Sequence, residues 1–367
     1  MRLFTDDSSS IADPFLRRAW ILARNGLGTT SPNPMVGCVL VQGTEIVGEG
    51  WHSHAGGPHA EVVALREAGS AAAGATVYVT LEPCAHHGRT PPCADALVEA
   101  GVARVYIGMP DPSHVASGGA ERLRAAGVDV IFAEDPTPFA ALNPGWLMLV
   151  REARPFITVK LALTLDARIA AAPGVRTRIS GPEAHAVTMR LRAASDAVVV
   201  GARTAIADNP ALTVRDPDGT PASHQPLRVV LTRQTDPAGC SFLGDVHGKT
   251  AVLMPAGCGI KAPEGTQAIA YDSAGGVTDA MRALAAEGIA HVLVEPGQTL
   301  FTALWDEGLL DELVLIHAGG VGGPGWTGSY TGSGGAAALE LDTSMRALEA
   351  AVVGDDAITV WTRKTQE

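Results

Sequence analysis

Hydrophobic positions in the first part of the chain alternate between the helical and the strand period. The pattern over residues 13–26 predicts an amphipathic helix. Asp13 can cap this helix, Pro14 suits its first turn, and Gly26 ends it. Strands are predicted at 36–41, 45–50, 75–82, 102–108 and 128–132. Further helices are predicted at 58–69 and 120–127. One more helix is predicted to begin at Cys84, and another to run from the end of the 86–92 loop to Gly101. This alternation of strands and helices predicts an α/β layer structure.

The pattern is interrupted between Asp135 and Pro155, where proline recurs, and then resumes. We therefore expect a domain boundary near residues 145–155 and two domains, 1–150 and 151–367, each with a core of its own. Strands are predicted at 156–163, 197–201, 227–231, 250–254 and 289–295, and helices at 182–194, 277–287 and 300–306. The glycine-rich stretch 319–335 is expected to form a loop or a mobile flap.

Charge and cysteine content narrow the range of functions. The formal net charge of −12 argues against a broad basic surface for nucleic acid, although it leaves room for a small site that binds one phosphate group. Five cysteines in 367 residues do not suggest a disulfide scaffold, so a reducing compartment is expected. The chain contains no apolar run of about 20 residues, so no membrane span is expected. Because Met1–Ser10 lacks an apolar signal core, the expected location is cytoplasmic.

The candidate chemistry of the first domain lies in His59, Glu61, Cys84 and Cys93. One histidine and two cysteines are zinc ligands that leave a fourth tetrahedral position open to water, as in catalytic zinc sites. Glu61 lies two residues after His59, so it can reach that water and pass its proton to a leaving amine. The expected helix start at Cys84 would favour its thiolate. The sequence thus predicts a zinc-dependent deaminase of a pyrimidine or a related base.

A purely structural zinc and the absence of zinc are two alternatives that stay open at this point. An isolated H-x-E triplet or P-C dipeptide is weak evidence, but their order on a helix, a strand and a helix is much stronger. Eight residues, Ala85 to Pro92, separate the two cysteines, whereas the usual deaminase pattern is C-x-x-C. Cys38 lies in an apolar run and is expected in the core rather than at a metal.

The second domain carries a weaker signal. Residues 294–300 predict a strand, a glycine turn and the start of a helix, which would offer free N–H groups to a cofactor phosphate. Many α/β proteins, however, use such a turn only to reverse the chain. A formal G-x-G-x-x-G at Gly320, Gly322 and Gly325 is not followed by a predicted helix, so we do not interpret it as a Rossmann fingerprint.

Longer runs extend these motifs in both halves. In the first half they are Pro32-Asn33-Pro34-Met35-Val36-Gly37, Gly48-Glu49-Gly50-Trp51-His52, His59-Ala60-Glu61 and Thr80-Leu81-Glu82-Pro83-Cys84-Ala85-His86-His87-Gly88-Arg89-Thr90-Pro91-Pro92-Cys93. In the second half they are Lys160–Arg168, Val200–Thr204, Asp208–Arg215 and Val294–Leu300. Together these runs resemble the family of bifunctional riboflavin biosynthesis deaminase/reductases, and the Gly-Arg-Thr-Pro-Pro loop between the cysteines is highly specific to it.

For the first half, the resemblance implies a cytidine-deaminase-like three-layer α/β/α domain with one Zn²⁺ per chain. The substrate would be a small molecule, a diaminopyrimidinone that carries a ribosylamino 5-phosphate, and it would lose its 2-amino group by hydrolysis. Asn33, His52 and the loop with His86, His87 and Arg89 would line the substrate pocket. Alternatively, His52 and His87 support the ligands or lie at the surface, and Arg89 braces its loop instead of binding phosphate.

For the second half, the resemblance implies a dihydrofolate-reductase-like α/β domain that uses NADPH to reduce the ribosyl group to a ribityl chain by direct hydride transfer. Cofactor contacts are implied for Ala162, Arg178, Thr204, Asp208, Gly297, Gln298, Thr299 and Leu300. Substrate contacts are implied for Arg176, Arg192, Leu212, Arg215 and Glu295, with arginines near the phosphate. The choice of NADPH over NADH follows from the resemblance alone. A homo-oligomer, either a dimer or a tetramer, is also expected.

The second half departs from the family pattern at three places. Arg176–Ser180 stands where the family has a serine and a tryptophan before Ile-Thr, Asn209 replaces an aspartate, and His317–Gly323 replaces a more apolar run. One alternative is therefore a deaminase whose second domain has lost reduction. A deaminase of another nucleobase or of nucleic acid and a non-catalytic zinc-binding module are others. The acidic charge disfavours binding to nucleic acid, and Glu61 disfavours the non-catalytic module.

Overall fold

A computed structural model of the chain describes residues 3–4, 7–86, 91–113, 117–330 and 344–364. The chain divides into two units, Asp6–Ala153 and Arg154–Glu367 with Arg2–Thr5, and each unit has its own apolar core. Short 3-10 helices lie at Asp7–Ser10, Arg24–Gly26, Gly69–Ala72, Pro237–Gly239 and Ser273–Gly275. Among the described residues, no helix is long and apolar enough to cross a membrane.

The first unit is built on a five-stranded sheet. Its strands are β1 (Gly37–Gln42), β2 (Glu45–Trp51), β3 (Thr76–Val79), β4 (Arg104–Ile107) and β5 (Asp129–Phe132). Its helices are α1 (Pro14–Ala23), α2 (Ala60–Ala68), α3 (Cys93–Glu99), α4 (Gly119–Ala125), α5 (Thr137–Ala140) and α6 (Pro144–Glu152). The strand order is β2-β1-β3-β4-β5, in which β1 is antiparallel to β2 and β3, whereas β3, β4 and β5 are parallel.

Three sheet glycines show which helix covers which face of this sheet. Successive strand residues point to opposite faces. A Cβ on Gly37 would meet the backbone of α1, 2.0 Å from the Ala19 carbonyl oxygen, whereas Cβ atoms on Gly48 and Gly50 would meet the backbone of α2. Because Gly50 pairs with Cys38, the neighbour of Gly37, α1 and α2 cover opposite faces. The predicted three-layer α/β/α arrangement is confirmed.

The helices of the first unit agree with the sequence patterns in part. α1 begins as predicted, because the Asp13 carboxylate accepts hydrogen bonds from two first-turn backbone N–H groups at 2.8 and 2.9 Å. The prediction of a helix start at Cys84 is wrong, since residues 81–86 have no regular structure and the next helix begins at Cys93. The interruption over 135–155 contains two helices, α5 and α6, because proline is favourable in the first turn of a helix.

The second unit is built on a nine-stranded sheet and has eleven described strands in all. Its strands are β6 (Phe156–Leu163), β7 (Arg168–Ala170), β8 (Ala197–Gly201), β9 (Leu227–Leu231), β10 (Thr250–Pro255), β11 (Gln267–Tyr271), β12 (His291–Val294), β13 (Glu312–His317), β14 (Thr327–Gly328), β15 (Met345–Val353) and β16 (Asp356–Arg363). Its helices are α7 (Pro182–Ala193), α8 (Ala202–Asp208), α9 (Gly276–Ala286) and α10 (Gln298–Asp306). β7 and β14 form a separate two-stranded ribbon.

The strand order of the large sheet is β11-β10-β9-β8-β12-β6-β13-β16-β15. Neighbours from β11 to β13 are parallel, and β16 and β15 are antiparallel to their neighbours. In a parallel sheet the carboxyl ends of the strands meet at one edge, where ligands bind. The segments that follow β9, β8 and β12 therefore lie side by side at this edge.

The sequence predicts β6, β8, β9, β10, β12, α7, α9 and α10 to within a few residues, and the α/β class predicted for this half is confirmed. β11, β13, β15, β16 and α8 are not predicted. β15 forms an edge of the sheet and is partly exposed along its length, so its apolar residues follow no clear period. In the glycine-rich stretch, residues 319–326 form no helix or strand, and 331–335 lie outside the described residues.

Candidate active sites

His59 and Glu61 lie at the start of α2. His59 is the N-cap residue, and Glu61 lies in the first turn, where its side chain is buried. Burial raises the pKa of the Glu61 carboxyl, as suits a group that takes up and releases a proton. The start of one helix thus supplies both a metal ligand and an acid–base group.

Cys84 and Cys93 meet His59 although they are far apart along the chain. His59 Nδ1 lies 3.2 Å from Cys93 Sγ and 3.7 Å from Cys84 Sγ, and all three ligand atoms lie within 4.8 Å of one another. Tetrahedral zinc with ordinary bond lengths separates a nitrogen from a sulfur ligand by about 3.6 Å and two sulfur ligands by about 3.8 Å. The three side chains therefore fit a zinc ion that keeps one position open.

Hydrogen bonds within this cluster shift the pKa values of the two cysteines in opposite directions. The hydrogen bond from Cys93, aided by one from His59, lowers the pKa of Cys84 to about 4 although burial opposes the shift. The same hydrogen bond, together with burial, raises the pKa of Cys93. The Cys93 backbone N–H, at the first residue of α3, also donates to Cys84 Sγ at 3.3 Å. The helix start that favours the Cys84 thiolate is thus that of α3.

Glu82 fixes the irregular segment that carries Cys84, a role that no sequence motif predicts. Its Oε1 accepts hydrogen bonds from the Gly118 and Ala120 backbone N–H groups at 3.2 and 2.9 Å, and its Oε2 accepts one from Asp111 N–H at 3.1 Å. A Cβ on Gly119 would lie 1.7 Å from the Pro83 carbonyl oxygen. The start of α4 therefore packs directly against the residues that precede the metal ligand.

A cavity of about 240 Å³ opens beside the metal ligands and Glu61. Of the residues predicted to contact the substrate, Asn33, His52 and His86 line it, while His87 and Arg89 lie outside the described residues. Asp111, Ser113 and Trp146 also line the cavity and were not predicted. The buried His86 Nδ1 has no hydrogen-bond partner among the described residues. The lining of the predicted pocket thus also includes an acidic residue, Asp111, and an aromatic residue, Trp146.

His52 is buried in this cavity, and its surroundings define its tautomer. Its Nδ1 lies 3.0 Å from the Pro58 carbonyl oxygen, which can only accept, so Nδ1 carries the proton. Its Nε2, 3.3 Å from Asn33 Nδ2, then accepts from the Asn33 amide. Burial lowers the pKa of His52 and keeps the ring neutral. Asn33 and His52 therefore form one hydrogen-bonded pair.

The second unit has a larger cavity, of about 690 Å³, at the carboxyl edge of its sheet. The predicted cofactor contacts that line it are Thr204, Gly297, Gln298, Thr299 and Leu300. Gly297 is the N-cap of α10, and a Cβ there would lie 2.5 Å from Thr204 Oγ1. The free N–H groups at the start of α10 point to an anion site. Ala162, Arg178 and Asp208 are not among the residues that line this cavity.

A charged cluster includes two of the residues predicted to contact the substrate. Arg192 Nε donates to Glu295 Oε1 at 2.7 Å, and its Nη1 donates to the Thr213 carbonyl oxygen at 2.9 Å. Lys160 Nζ lies 3.9 Å from Glu295 Oε2. Burial opposes the ionisation of Glu295, but the charges of Arg192 and Lys160 outweigh it and lower its pKa to about 2. Lys160 was assigned no role, although it is the one charged residue in the apolar strand β6.

The other residues predicted to contact the substrate are more dispersed. Leu212 is buried and has a positive φ of 54°. The Arg215 guanidinium donates to the Gly219 carbonyl oxygen at 2.7 Å within a local turn, so it does not join the charged cluster. Arg176 and Arg178 are exposed. Burial raises the pKa of Asp208, and the charge of Arg176 partly offsets this shift.

Asp166, which follows β6, holds the start of the glycine-rich loop. Its two carboxylate oxygens accept hydrogen bonds from the Gly322 and Gly323 backbone N–H groups, each at 2.9 Å. The Thr164 hydroxyl donates to the same carboxylate at 2.6 Å, and these bonds hold the Asp166 pKa well below its usual value. The stretch predicted to be a loop or a mobile flap is therefore held at this point by Asp166.

Two family models match the chain, one in each unit. The model described as "Cytidine and deoxycytidylate deaminase zinc-binding region" matches residues 10–109, and the model described as "RibD C-terminal domain" matches residues 155–359. The metal cluster lies within the first match and the large cavity within the second. The two sites thus lie in segments that match two different family models.

Several proteins resemble the chain over most of its length. "Riboflavin biosynthesis protein RibD" of Escherichia coli K12 is 43% identical over 317 residues, which are 83% of this chain and 86% of that protein. The structure of Acinetobacter baumannii RibD has a TM-score of 0.86 at 35% identity, covering 98% of this chain and 99% of that one. The Thermotoga maritima diaminohydroxyphosphoribosylaminopyrimidine deaminase/5-amino-6-(5-phosphoribosylamino)uracil reductase has a TM-score of 0.83 at 30% identity, covering 95% and 98%.

Proposed function

The chain belongs to the RibD family of riboflavin biosynthesis proteins, and from that premise we propose that residues 1–150 carry a zinc-dependent deaminase and residues 151–367 an NADPH-dependent reductase. The substrate is 2,5-diamino-6-ribosylamino-4(3H)-pyrimidinone 5′-phosphate, which loses its 2-amino group as ammonia. The ribosyl group of that product is then reduced to a ribityl chain. The proposal rests above all on the cluster of His59, Cys84 and Cys93 beside the buried Glu61.

Deamination requires a group that moves a proton at the reacting carbon. Zinc held by the three ligands would supply the Lewis acidity that activates the attacking water. Glu61 takes a proton from that water and delivers it to a ring nitrogen of the pyrimidine, and it then moves the remaining hydroxyl proton to the amino group, so that ammonia leaves as the carbonyl forms. The raised pKa of its buried carboxyl supports both steps.

The neighbouring polar groups bind and orient the pyrimidine. Because the Asn33 amide donates to His52, its carbonyl oxygen is the acceptor that it offers to a substrate N–H group. His52 is held neutral and anchored to the Pro58 carbonyl, so it adds no charge to the pocket. Arg89 is proposed to bind the substrate phosphate, a role for which its planar fork of donors is suited.

Reduction depends on the positioning of a cofactor and a substrate at the carboxyl edge of the second sheet. NADPH would supply the hydride. The N–H groups of residues 297–300 bind its phosphates at the start of α10, beside Thr204. Arg192 and Glu295 hold the substrate, with Lys160 balancing their charges. The other implied contacts stay predictions: Ala162, Arg178 and Asp208 for the cofactor, and Arg176, Leu212 and Arg215 for the substrate.

The experiment that tests both activities is incubation of the purified protein with the diaminopyrimidinone ribosylamino phosphate, followed by mass spectrometry. We expect the mass change of amine-to-carbonyl exchange without NADPH, and the gain of two further hydrogens only with NADPH. Deamination without reduction would support the alternative of a degenerate second domain. No reaction of the zinc-loaded protein would contradict the proposed substrate.

The proposal also covers the location, the binding partner and the oligomeric state of the enzyme. The five cysteines, all described, are free, which supports a reducing and hence cytoplasmic location. The partner is a small-molecule substrate and not a nucleic acid, in line with the net charge of −12. A dimer or tetramer stays a prediction, which sedimentation velocity of the purified chain would test.

A further inference from the structure

The segment 209–215, which follows α8, has an uncommon backbone. Asn209 and Leu212 have positive φ angles of 40° and 54°. Left-handed backbone is unfavourable for a residue with a Cβ, above all for a bulky one such as leucine, so the surrounding structure must hold it. The same segment carries Leu212 and Arg215, two of the residues predicted to contact the substrate. Its shape therefore sets how these predicted contacts meet the substrate.

Two arginines hold the residues on either side of Leu212. Arg228 Nη1 donates to the Ala211 carbonyl oxygen at 3.2 Å. Arg192 Nη1 donates to the Thr213 carbonyl oxygen at 2.9 Å. Arg192 belongs to the charged cluster described above, whereas Arg228 comes from a different part of the unit. The backbone is therefore held both before and after Leu212.

Arg228 lies on β9 and is completely buried. Both oxygens of the Asp245 carboxylate accept hydrogen bonds from it, at 3.0 and 2.5 Å, and the Gly248 carbonyl oxygen accepts another at 2.8 Å. Its guanidinium carbon lies 5.6 Å from the centre of the Phe242 ring. Each Nη atom thus donates once to the carboxylate and once to a backbone carbonyl. These contacts fix the guanidinium in the orientation in which Nη1 reaches Ala211.

The burial of this arginine needs an explanation other than stability. Its Nε atom is buried without a hydrogen-bond partner among the described residues. Desolvation offsets much of the attraction in a buried ion pair, and apolar residues of similar size often replace such a pair without loss of stability. Arg228 does not line the large cavity either. What arginine alone provides is a planar fork that binds a carboxylate and still directs donors at backbone carbonyls.

The other side chains that support the segment act near its two ends. Asn209 Oδ1 accepts hydrogen bonds from the Ser241 backbone N–H and hydroxyl at 3.0 and 2.8 Å. The Gln225 side-chain amide pairs with the Val214 backbone, accepting from its N–H at 2.8 Å and donating to its carbonyl oxygen at 2.9 Å. Neither contact reaches the middle of the segment, which the two arginines hold.

We propose that Arg228 is a positioning residue of the reductase, which acts through the Ala211 carbonyl to keep the 209–215 segment in the conformation that binds the substrate. The inference rests on the reduction proposed above. Without this hydrogen bond, the backbone at Leu212 relaxes out of the left-handed region, and Leu212 and Arg215 are no longer in place before the substrate arrives. Substrate binding must then restore the conformation, so its affinity falls, whereas the affinity for the cofactor does not.

The test replaces Arg228 in two ways that leave no unpaired charge at Asp245. Arg228→Lys keeps the positive charge but replaces the fork with a single nitrogen. Arg228→Met/Asp245→Asn removes both charges, and the new amide oxygen can still accept from the His247 backbone N–H, which donates to Asp245 at 2.9 Å. The matched controls are Arg282→Lys and Arg282→Met/Asp279→Asn, at a surface ion pair of 3.2 Å on α9.

Reduction of the deaminated substrate gives KM and kcat, and calorimetry gives the dissociation constants of that substrate and of NADPH. Both Arg228 variants should raise KM and the substrate dissociation constant about 10-fold, the value of one charge-assisted hydrogen bond. We expect kcat to stay within about 3-fold and NADPH affinity within about 2-fold, since uniform substrate binding is what is lost. Amide hydrogen exchange should accelerate over residues 209–215. The controls should change none of these quantities.

An unchanged substrate dissociation constant in a variant that still binds NADPH would overturn the assignment of Arg228. A parallel fall in substrate affinity, NADPH affinity and Tm would also overturn it, because Arg228 would then only stabilise the unit. If the wild type binds the deaminated substrate but does not reduce it, the proposed reduction fails, and the dissociation constants still decide the role of Arg228. A wild type that neither binds nor reduces this substrate would overturn both.

Discussion

The metal pocket of the first unit and the large cavity of the second unit collect their side chains in different ways. The metal ligands and Glu61 come from two short segments, 59–61 and 84–93, and the donor atoms of the three ligands lie within 4.8 Å of one another. The cavity takes its lining from the ends of several strands and the starts of three helices, spread over residues 201–307. The first site is a compact chemical cluster, whereas the second is a surface assembled by the sheet.

This difference teaches what each site requires of the chain. Zinc accepts few kinds of ligand at nearly fixed distances, so residue types alone reveal such a site. A dinucleotide instead contacts many backbone N–H groups and scattered side chains, and most residue types can supply these. We therefore expect single substitutions to abolish activity in the first unit and to tune it in the second.

Loss of a metal ligand should give the largest effect on activity, and it should affect deamination but not reduction. Because the zinc position depends on Cys93, Cys93→Ser should lose metal and reduce deamination at least about 10³-fold. Reduction of separately supplied deaminated substrate should stay near the wild-type rate. Metal analysis and ammonia release check the first unit, and NADPH oxidation checks the second. Cys258→Ser, at an exposed cysteine, is the control. A parallel loss of both activities would contradict the contrast between the sites.

Glu61→Gln should separate proton transfer from metal binding. The amide has nearly the shape of the carboxylate but cannot carry the proton, so deamination should fall about 10²- to 10⁴-fold while zinc content is retained. Glu99→Gln changes the same charge at an exposed position of α3 and should have no such effect. Zinc loss in Glu61→Gln would instead mean that the carboxylate supports the metal ligands.

In the second unit, Glu295→Gln should remove the ion pair with Arg192 and Lys160. The pH dependence of the free energy of unfolding should show this loss. The folded pKa of about 2 lies below the usual 4.5, so the ion pair contributes its stability above pH 4.5 and loses it as the pH falls toward 2. The contribution is on the order of 3 kcal/mol. Urea denaturation should therefore show a deficit in the variant that is full at pH 5 and shrinks toward pH 2.5. A deficit that is independent of pH would contradict this explanation, and Glu264→Gln, an exposed site, is the control.

Gly119→Ala should produce a smaller, indirect effect at the metal pocket. A methyl group there would lie 1.7 Å from the Pro83 carbonyl oxygen, so the segment before Cys84 must shift. Metal affinity should fall about 10- to 100-fold, as is typical when support of a ligand is lost. Zinc competition with a chelator measures this change. Gly239→Ala, where a Cβ would meet nothing within 4 Å, should leave the affinity unchanged. An unchanged affinity in Gly119→Ala would show that the Pro83 segment adapts freely.

The contrast also explains how far the sequence alone could predict the molecule. Strands such as β6 and β8 are apolar and bounded by turns, so their periods are clear. Residue types suggested the metal ligands, but the position of Cys84 outside any helix depends on Glu82, whose three N–H donors come from residues 111–120. Local patterns carry no information on such distant contacts.

The second site was less predictable for a related reason. Arg203 and Arg233, which both line the large cavity, are 30 positions apart, and only the parallel register of β8 and β9 brings them to one level. Lys160 likewise meets Glu295 only after β6 and β12 have paired. Strand register is set by packing of the whole sheet and not by any short segment.

The separate anchoring of the two cysteines has an evolutionary consequence. Cys84 is held through Glu82 and Pro83, and Cys93 is held by α3, so each cysteine has an anchor outside the chain between them. Lengthening that chain from two residues to eight costs about 1 kcal/mol of loop-closure entropy, which is small against zinc binding of about 10 kcal/mol. Insertions between the ligands are therefore nearly neutral for the metal. Lineages that share this zinc chemistry can vary the intervening chain to acquire new substrates without rebuilding the site.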